Sequence, residues 1–163
     1  MPEAGRLETE AGLRLLDDRG IYEKGDLHRA LHDETEASPV REVAAWVLGR
    51  AGDRRDSTTL ARSLADLQPS AVRRAAVEAL GLLPSPAASD ALLARLDEDR
   101  EHEVRAAAAA ALGTLASRRG VDALCRRLRL QQLEADAAVV FDGATVADEA
   151  RESIKQIKAR TAR

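Results

Sequence analysis

The side chains of this 163-residue chain that could do chemistry are three histidines, one cysteine and a spaced set of arginines. His28 and His32 stand four residues apart, and on a helix that spacing puts both imidazoles on one face, as a metal site needs. A third ligand would have to come from the nearby acids Asp33 and Glu34, and the competing reading is two surface histidines. His102 and Glu103 form a second imidazole–carboxylate pair, which occurs once. Cys125 lies between Leu124 and Leu128 and reads as a buried, inert thiol in a helix. A lone cysteine excludes an intramolecular disulfide and a zinc–thiolate cluster. The sequence has no phosphate-cradling glycine loop and no nucleophile elbow, and its many carboxylates fall on solvated helix ends. No catalytic residue, metal or cofactor is assigned. What remains is recognition chemistry: the guanidinium groups of Arg62, Arg95, Arg126, Arg127 and Arg129, and the large ring of Trp46.

The elements that position these groups follow from composition. Apolar residues make up 45% of the chain and aromatic residues 2%, with Ala and Leu dominant. Ala and Leu favour helices, and strand formers are scarce, so the fold class expected is all-α. Lys and Arg number 25 against 28 Asp and Glu, a net charge of −3. That balance argues against a general nucleic-acid or membrane-surface binder but leaves room for a local basic patch. Of the bases, 22 are Arg and 3 are Lys, a bias of the kind that GC-rich bacterial genomes produce. No apolar run approaches the roughly 18 residues of a membrane span, and the first residues hold no apolar signal core. The expected location is the cytoplasm.

A repeat organises the chain. Val40-Arg41 and Leu48-Gly49 recur as Val72-Arg73 and Leu80-Gly81, then as Val104-Arg105 and Leu112-Gly113. The step is 32 residues, and it is kept by Ala44, Ala76 and Ala108, by Leu60, Leu92 and Leu124, and by Leu64, Leu96 and Leu128. Each unit reads as two helices. The first begins near Ser38-Pro39, Ser70-Ala71 or His102, placed as N-caps and first-turn residues, and ends near its glycine, where a left-handed or close-packed residue is wanted. A turn follows, and the second helix carries its leucines at i, i+4. An N-terminal copy with a step of 33 places Leu7, Ala11 and Leu15 on the first-helix pattern and Leu27 and Leu31 on the second, with Leu16 in place of the glycine. The reading is a single domain over 1–163. It comprises a degenerate N-terminal capping repeat at 1–36, regular repeats at 37–67, 68–99 and 100–131, an insert at 132–143 and a C-terminal capping helix at 144–163. About nine helices are expected. Ala76 and Ala108 should be buried where helices approach closely.

Val-Arg-x-x-Ala-x-x-x-Leu-Gly, followed by a helix with paired leucines, resembles a HEAT repeat. The short period is most similar to the bacterial subtype first named for phycobilisome lyases. The resemblance implies an α-solenoid, a superhelical stack of antiparallel helix pairs whose second helices line the concave side. Such chains include interaction scaffolds, bilin lyase subunits and deoxyhypusine hydroxylases with His-Glu iron ligands. In the hydroxylases the pair follows the Arg of Val-Arg; here His102-Glu103 precedes the Val. Function must then be argued from sites, because a lone fold serves many.

Two rows of arginine follow from the register. Arg41, Arg73 and Arg105, with Glu34, Asp66 and Glu98 six residues before each Val, read as a structural ladder between units. Arg29, Arg62, Arg95, Arg126 and Arg127 fall on the second helices as a concave row, about 9–10 Å apart at helix-packing distance. Asp33, Asp66 and Asp99 stand four residues after the first three and would partly neutralise them. Arg126, Arg127 and Arg129 lack such acids. Residues 1–36 carry ten acids and five bases, and residues 114–130 five Arg and one Asp, so the array is electrically polar along its axis. Trp46 aligns with Glu78 and Ala110, about 120° from the core centre. Both packing against the N-terminal unit and an exposed contact fit that place. The function expected is a non-enzymatic protein-interaction scaffold or adaptor that binds a protein partner, for which an acidic segment is the matching chemistry. Nucleic-acid binding through the arginine row is the alternative, and a bilin lyase-like or metal-dependent enzyme subunit comes third.

Overall fold

A computed structural model describes residues 2–115 and the isolated positions 152, 155 and 159, with side chains from residue 10. The described residues form seven helices and no strand: α1 (Pro2–Asp17), α2 (Lys24–His32), α3 (Ser38–Ala51), α4 (Asp56–Arg62), α5 (Ser70–Leu80), α6 (Pro86–Glu98) and α7 (His102–Leu115). The count is seven rather than nine. The partner of α7, the insert 132–143 and most of the capping helix 144–163 lie outside the described residues, as do Cys125, Arg126, Arg127 and Arg129. Glu152, Lys155 and Ala159 are helical.

The helices pair and stack in chain order. The first helices α1, α3, α5 and α7 pack each on the next, α4 packs on α6, and α4 and α6 each pack against the first helix that follows. The repeat register accounts for the core. Val40, Val72, Val104, Ala44, Ala76, Ala108, Leu80 and Leu112 are fully buried, and so are Leu31, Leu60, Leu92 and Leu96. A helix pair cannot bury such a face alone, and stacking supplies the partner surface.

Small residues set how close the first helices come. A Cβ added at Gly49 would lie 2.6 Å from the Ala79 Cα, and one at Gly81 would lie 2.9 Å from the Ala111 Cβ. Both pairs keep the 32-residue step. The glycines lie in the last turn or at the C-cap with ordinary helical backbone, so close approach is their reason. The helix starts differ by one residue from the sequence expectation. Ala37 and Pro69 are the N-caps of α3 and α5, and Ser38, Ser70 and His102 are the first helical residues.

The N-terminal unit corrects its expected register. Leu16 is buried and Leu15 half-buried; Gly12 is buried and Ala11 exposed. Gly12 and Leu16 stand 32 residues before Ala44 and Leu48, so the step is kept in α1, the extra residue falls between α2 and α3, and the turn after α1 is one residue shorter than its counterparts. That turn ends α1 through a left-handed glycine, Gly20, at φ +66°. The Ile21 N–H donates to the Leu16 carbonyl at 3.0 Å and the Gly20 N–H to the Asp17 carbonyl at 2.9 Å. This bond pair closes the helix in a Schellman turn and brings Ile21 over Leu16.

Candidate functional site

The second-helix surface was the expected site, and its arginines divide into those that tie the stack and those that face solvent. Arg62 ends α4, is exposed and makes no ion pair among the described residues. Its expected partner Asp66 is out of reach because the helix stops at Arg62, which removes the i, i+4 geometry. Asp66 instead accepts from Arg95 of the next unit at 2.6 Å. Arg29 is exposed too and pairs with Asp26 rather than Asp33. Asp33 lies past the end of α2, where its carboxylate accepts from the Thr35 N–H at 2.9 Å and the Thr35 hydroxyl at 2.6 Å.

Arg95 is a tie. Its side chain is 13% exposed, and Nη1 donates to the Leu64 carbonyl at 3.1 Å, to Asp66 at 2.6 Å and to Asp99 at 3.5 Å. Glu98 adds a carboxylate at 3.8 Å. A guanidinium so engaged ties α6 to the turn after α4. Position 94 holds Ala, so within the described residues the row is broken after Arg62. Trp46 on α3 is half-buried, and the Arg50 guanidinium carbon lies 5.0 Å from its ring centroid, within cation–π range.

The ladder exists, with different partners from those expected. Arg41, Arg73 and Arg105 are all buried. Arg41 donates through Nε to the Leu31 carbonyl of the preceding turn at 3.1 Å and through Nη2 to the Gln68 side chain of the following turn. Arg73 donates to the Gln68 carbonyl at 2.6 Å and grips Asp99 through Nε and Nη2, each at 2.9 Å. Arg105 donates to the Asp99 carbonyl at 2.7 Å. The turns after α4 and α6 thus each receive one arginine on a side chain and the next on a backbone carbonyl. Glu34 is exposed, Asp66 and Glu98 serve Arg95, and the hub is Asp99, itself 2% exposed. Burial pushes the Asp99 carboxyl up, but hydrogen bonds from Arg73 and the Glu101 N–H, with the charges of Arg73 and Arg95, hold it below the ordinary carboxylate value.

His28 and His32 share a face of α2 but meet different surroundings. His28 Nε2 lies 2.8 Å from the carboxylate of Asp56, which also takes Lys24 at 2.7 Å and the Asp53 N–H at 2.6 Å. Asp56 is 1% exposed, and burial pushing it up is outweighed by these donors. His32 is half-buried, and desolvation with the charges of Arg62, His28 and Arg41 lowers its pKa. Among the described residues no three His, Cys, Asp or Glu side chains come together as a metal could require. His102 bonds Arg105 of the ladder. No described helix is long and apolar enough to cross a membrane.

Sequence reasoning missed three features. Asp56 tethers the N-terminal unit to α4, and its register partner Ala88 gave no signal. Asp99 lay within the run Asp97-Glu98-Asp99, where spacing did not say which acid turns inward. Leu13 and Tyr22 stand 50% and 73% exposed beside an open groove, and only their lack of counterparts in the regular units marked them.

Residues 67–140 match the family model for HEAT repeats. Over that stretch the chain is similar to HEAT repeats. The match spans α5, α6 and α7, whose shared step with α3 and α4 extends the same organisation toward the N-terminus. No curated protein matches the chain.

Proposed function

We propose that this HEAT-repeat chain is a non-enzymatic adaptor that holds an acidic segment of a protein partner on its second-helix surface. Arg62 would bind it together with Arg126, Arg127 and Arg129. The observation that carries this reading is the contrast between two second-helix arginines at neighbouring register positions. Arg95 is enclosed by three carboxylates, whereas Arg62 is exposed and makes no ion pair among the described residues. An uncommitted guanidinium suits bidentate recognition of carboxylate. HEAT repeats commonly mediate protein–protein interaction, which supports the same class. The break in the row after Arg62 weighs against an evenly spaced phosphate-binding track, and hence against nucleic acid. The 32-residue step supports the short bacterial subtype, and a bacterial cytoplasm is the setting we propose.

Arg62→Glu combined with Arg126→Glu and Arg127→Glu tests the reading. Partner affinity measured by calorimetry should fall by at least about 2 kcal/mol, with wild-type binding weakened by salt. Unchanged affinity in that variant, with loss in Trp46→Ala, would move the site to the first-helix surface. Wild-type binding to duplex DNA that weakens with salt would favour the nucleic-acid reading instead.

A further inference from the structure

The N-terminal end of the stack carries a surface that the repeat architecture does not explain. Here Leu13 and Tyr22 are exposed, and beside them lies an open groove of about 450 Å³ lined by Leu16, Ile21, Leu27 and Val47. The groove is held in shape. The Schellman turn fixes Ile21 over Leu16, and the Tyr22 hydroxyl donates to the Asp17 carbonyl at 3.2 Å, which holds the ring at the rim. α1 and its turn hold five acids, Glu10, Asp17 and Asp18 among them exposed, against three bases, of which Arg14 also lines the groove and Arg19 is paired with Glu36 at 2.7 Å. An apolar floor with an acidic rim fits a segment with apolar anchors flanked by cations.

The chain has such a segment at its other end. In the sequence Val146, Ala150, Ile154 and Ile157 recur at the spacing of one helix face, and residues 151–163 hold five bases and one acid. The helical Lys155 is 74% exposed. Three first-helix spacings separate α1 from α7, about 25–30 Å at helix-packing distance.

We propose that the N-terminal groove receives the cationic C-terminal segment of a second copy of this chain, giving head-to-tail association. Such a heterologous contact builds rings or open filaments, so assemblies grow with concentration.

Sedimentation velocity of the full chain tests this. In low salt the weight-average sedimentation coefficient should rise from micromolar to sub-millimolar protein and return to the monomer value in high salt. Asp17→Lys with Asp18→Lys should weaken association at least about tenfold, and so should Lys155→Glu with Lys158→Glu. Mixing the two variants should restore pairwise association, because the unaltered segment of the groove variant then meets the unaltered groove of the segment variant. Leu13→Ser with Tyr22→Ser should abolish it and should not be rescued by mixing. Far-UV circular dichroism on every variant confirms that the helices are retained. Three results would overturn the proposal: a wild-type chain that stays monomeric, association that survives either charge reversal, and charge variants that fail to complement each other. The first would be the outcome if the segment only caps its own last repeat.

Discussion

Removing the Asp99 carboxylate should cost more than removing any other described acid outside the Asp56 cluster. Both Asp99 and Arg73 are essentially out of water, and two charge-assisted bonds of 2.9 Å join them. Asp99→Ala leaves the Arg73 guanidinium with the Gln68 carbonyl at 2.6 Å and no carboxylate in hydrogen-bond range. Breaking a buried pair by removing one partner costs about 3–5 kcal/mol, since an uncompensated charge stays inside. For a chain of this size that corresponds to a fall in Tm of about 6–20 °C. Glu98→Ala is the control. Its side chain is 72% exposed and 3.8 Å from Arg95, so its loss should cost about 0–1 kcal/mol. Urea denaturation followed at 222 nm gives both values, with an unchanged m showing that the denatured state is comparable. The pH dependence has a definite sign. The Asp99 carboxyl lies below its ordinary value in the fold, so its contribution is complete above the unfolded-state pKa. It is lost as pH falls through the lower folded value. Wild type should therefore lose stability in acid more steeply than Asp99→Asn. Equal stabilities of Asp99→Ala and Glu98→Ala would refute the ladder as drawn, as would parallel acid curves for wild type and Asp99→Asn.

Ala108→Leu should lower stability by about 1–3 kcal/mol through overpacking, measured by thermal melting, since Ala108 is fully buried. Gly49→Ala should also lower Tm, because its Cβ would meet the Ala79 backbone at 2.6 Å, where the backbone rather than a flexible side chain must give way. His32 should titrate below the ordinary histidine value in an NMR experiment. Its neutral form then favours the fold above the unfolded-state value, and this contribution is lost as pH falls through the folded one. His32→Leu should flatten that part of the stability curve. Lys24→Ala together with His28→Ala leaves the buried Asp56 with the Asp53 N–H and should loosen the N-terminal unit before the rest, seen as faster amide exchange in α2.

The stack was legible because one step governs it. Val, Ala and Leu at fixed places must face inward if the units pack alike, and those positions of the three regular units are buried in the described residues. The glycines were legible for the same reason, since Gly49 and Gly81 meet Ala79 and Ala111 one step apart. Polar pairing was less legible. Spacing along a helix offered Asp66 to Arg62, but α4 ends at Arg62 and the acid turns to Arg95 instead. Gln68 and Asp99 fill the same role in successive turns with different chemistry, so no repeated residue type announced it. Leu67, one step before Asp99, is 94% exposed, which shows that register alone did not predict which turn residue points inward. The groove beside Tyr22 belongs to the degenerate unit, where the register had already slipped.

Affinity capture from the source organism, with the wild-type chain and the Arg62→Glu/Arg126→Glu/Arg127→Glu chain side by side, tests the adaptor reading most directly. The captured protein is then purified and titrated against both. The adaptor reading predicts one protein retained in near-stoichiometric amount by the wild type, released by salt, and bound at least about 30-fold more weakly by the variant. A captured protein that binds both chains equally, or recovery of nucleic acid alone, would contradict it.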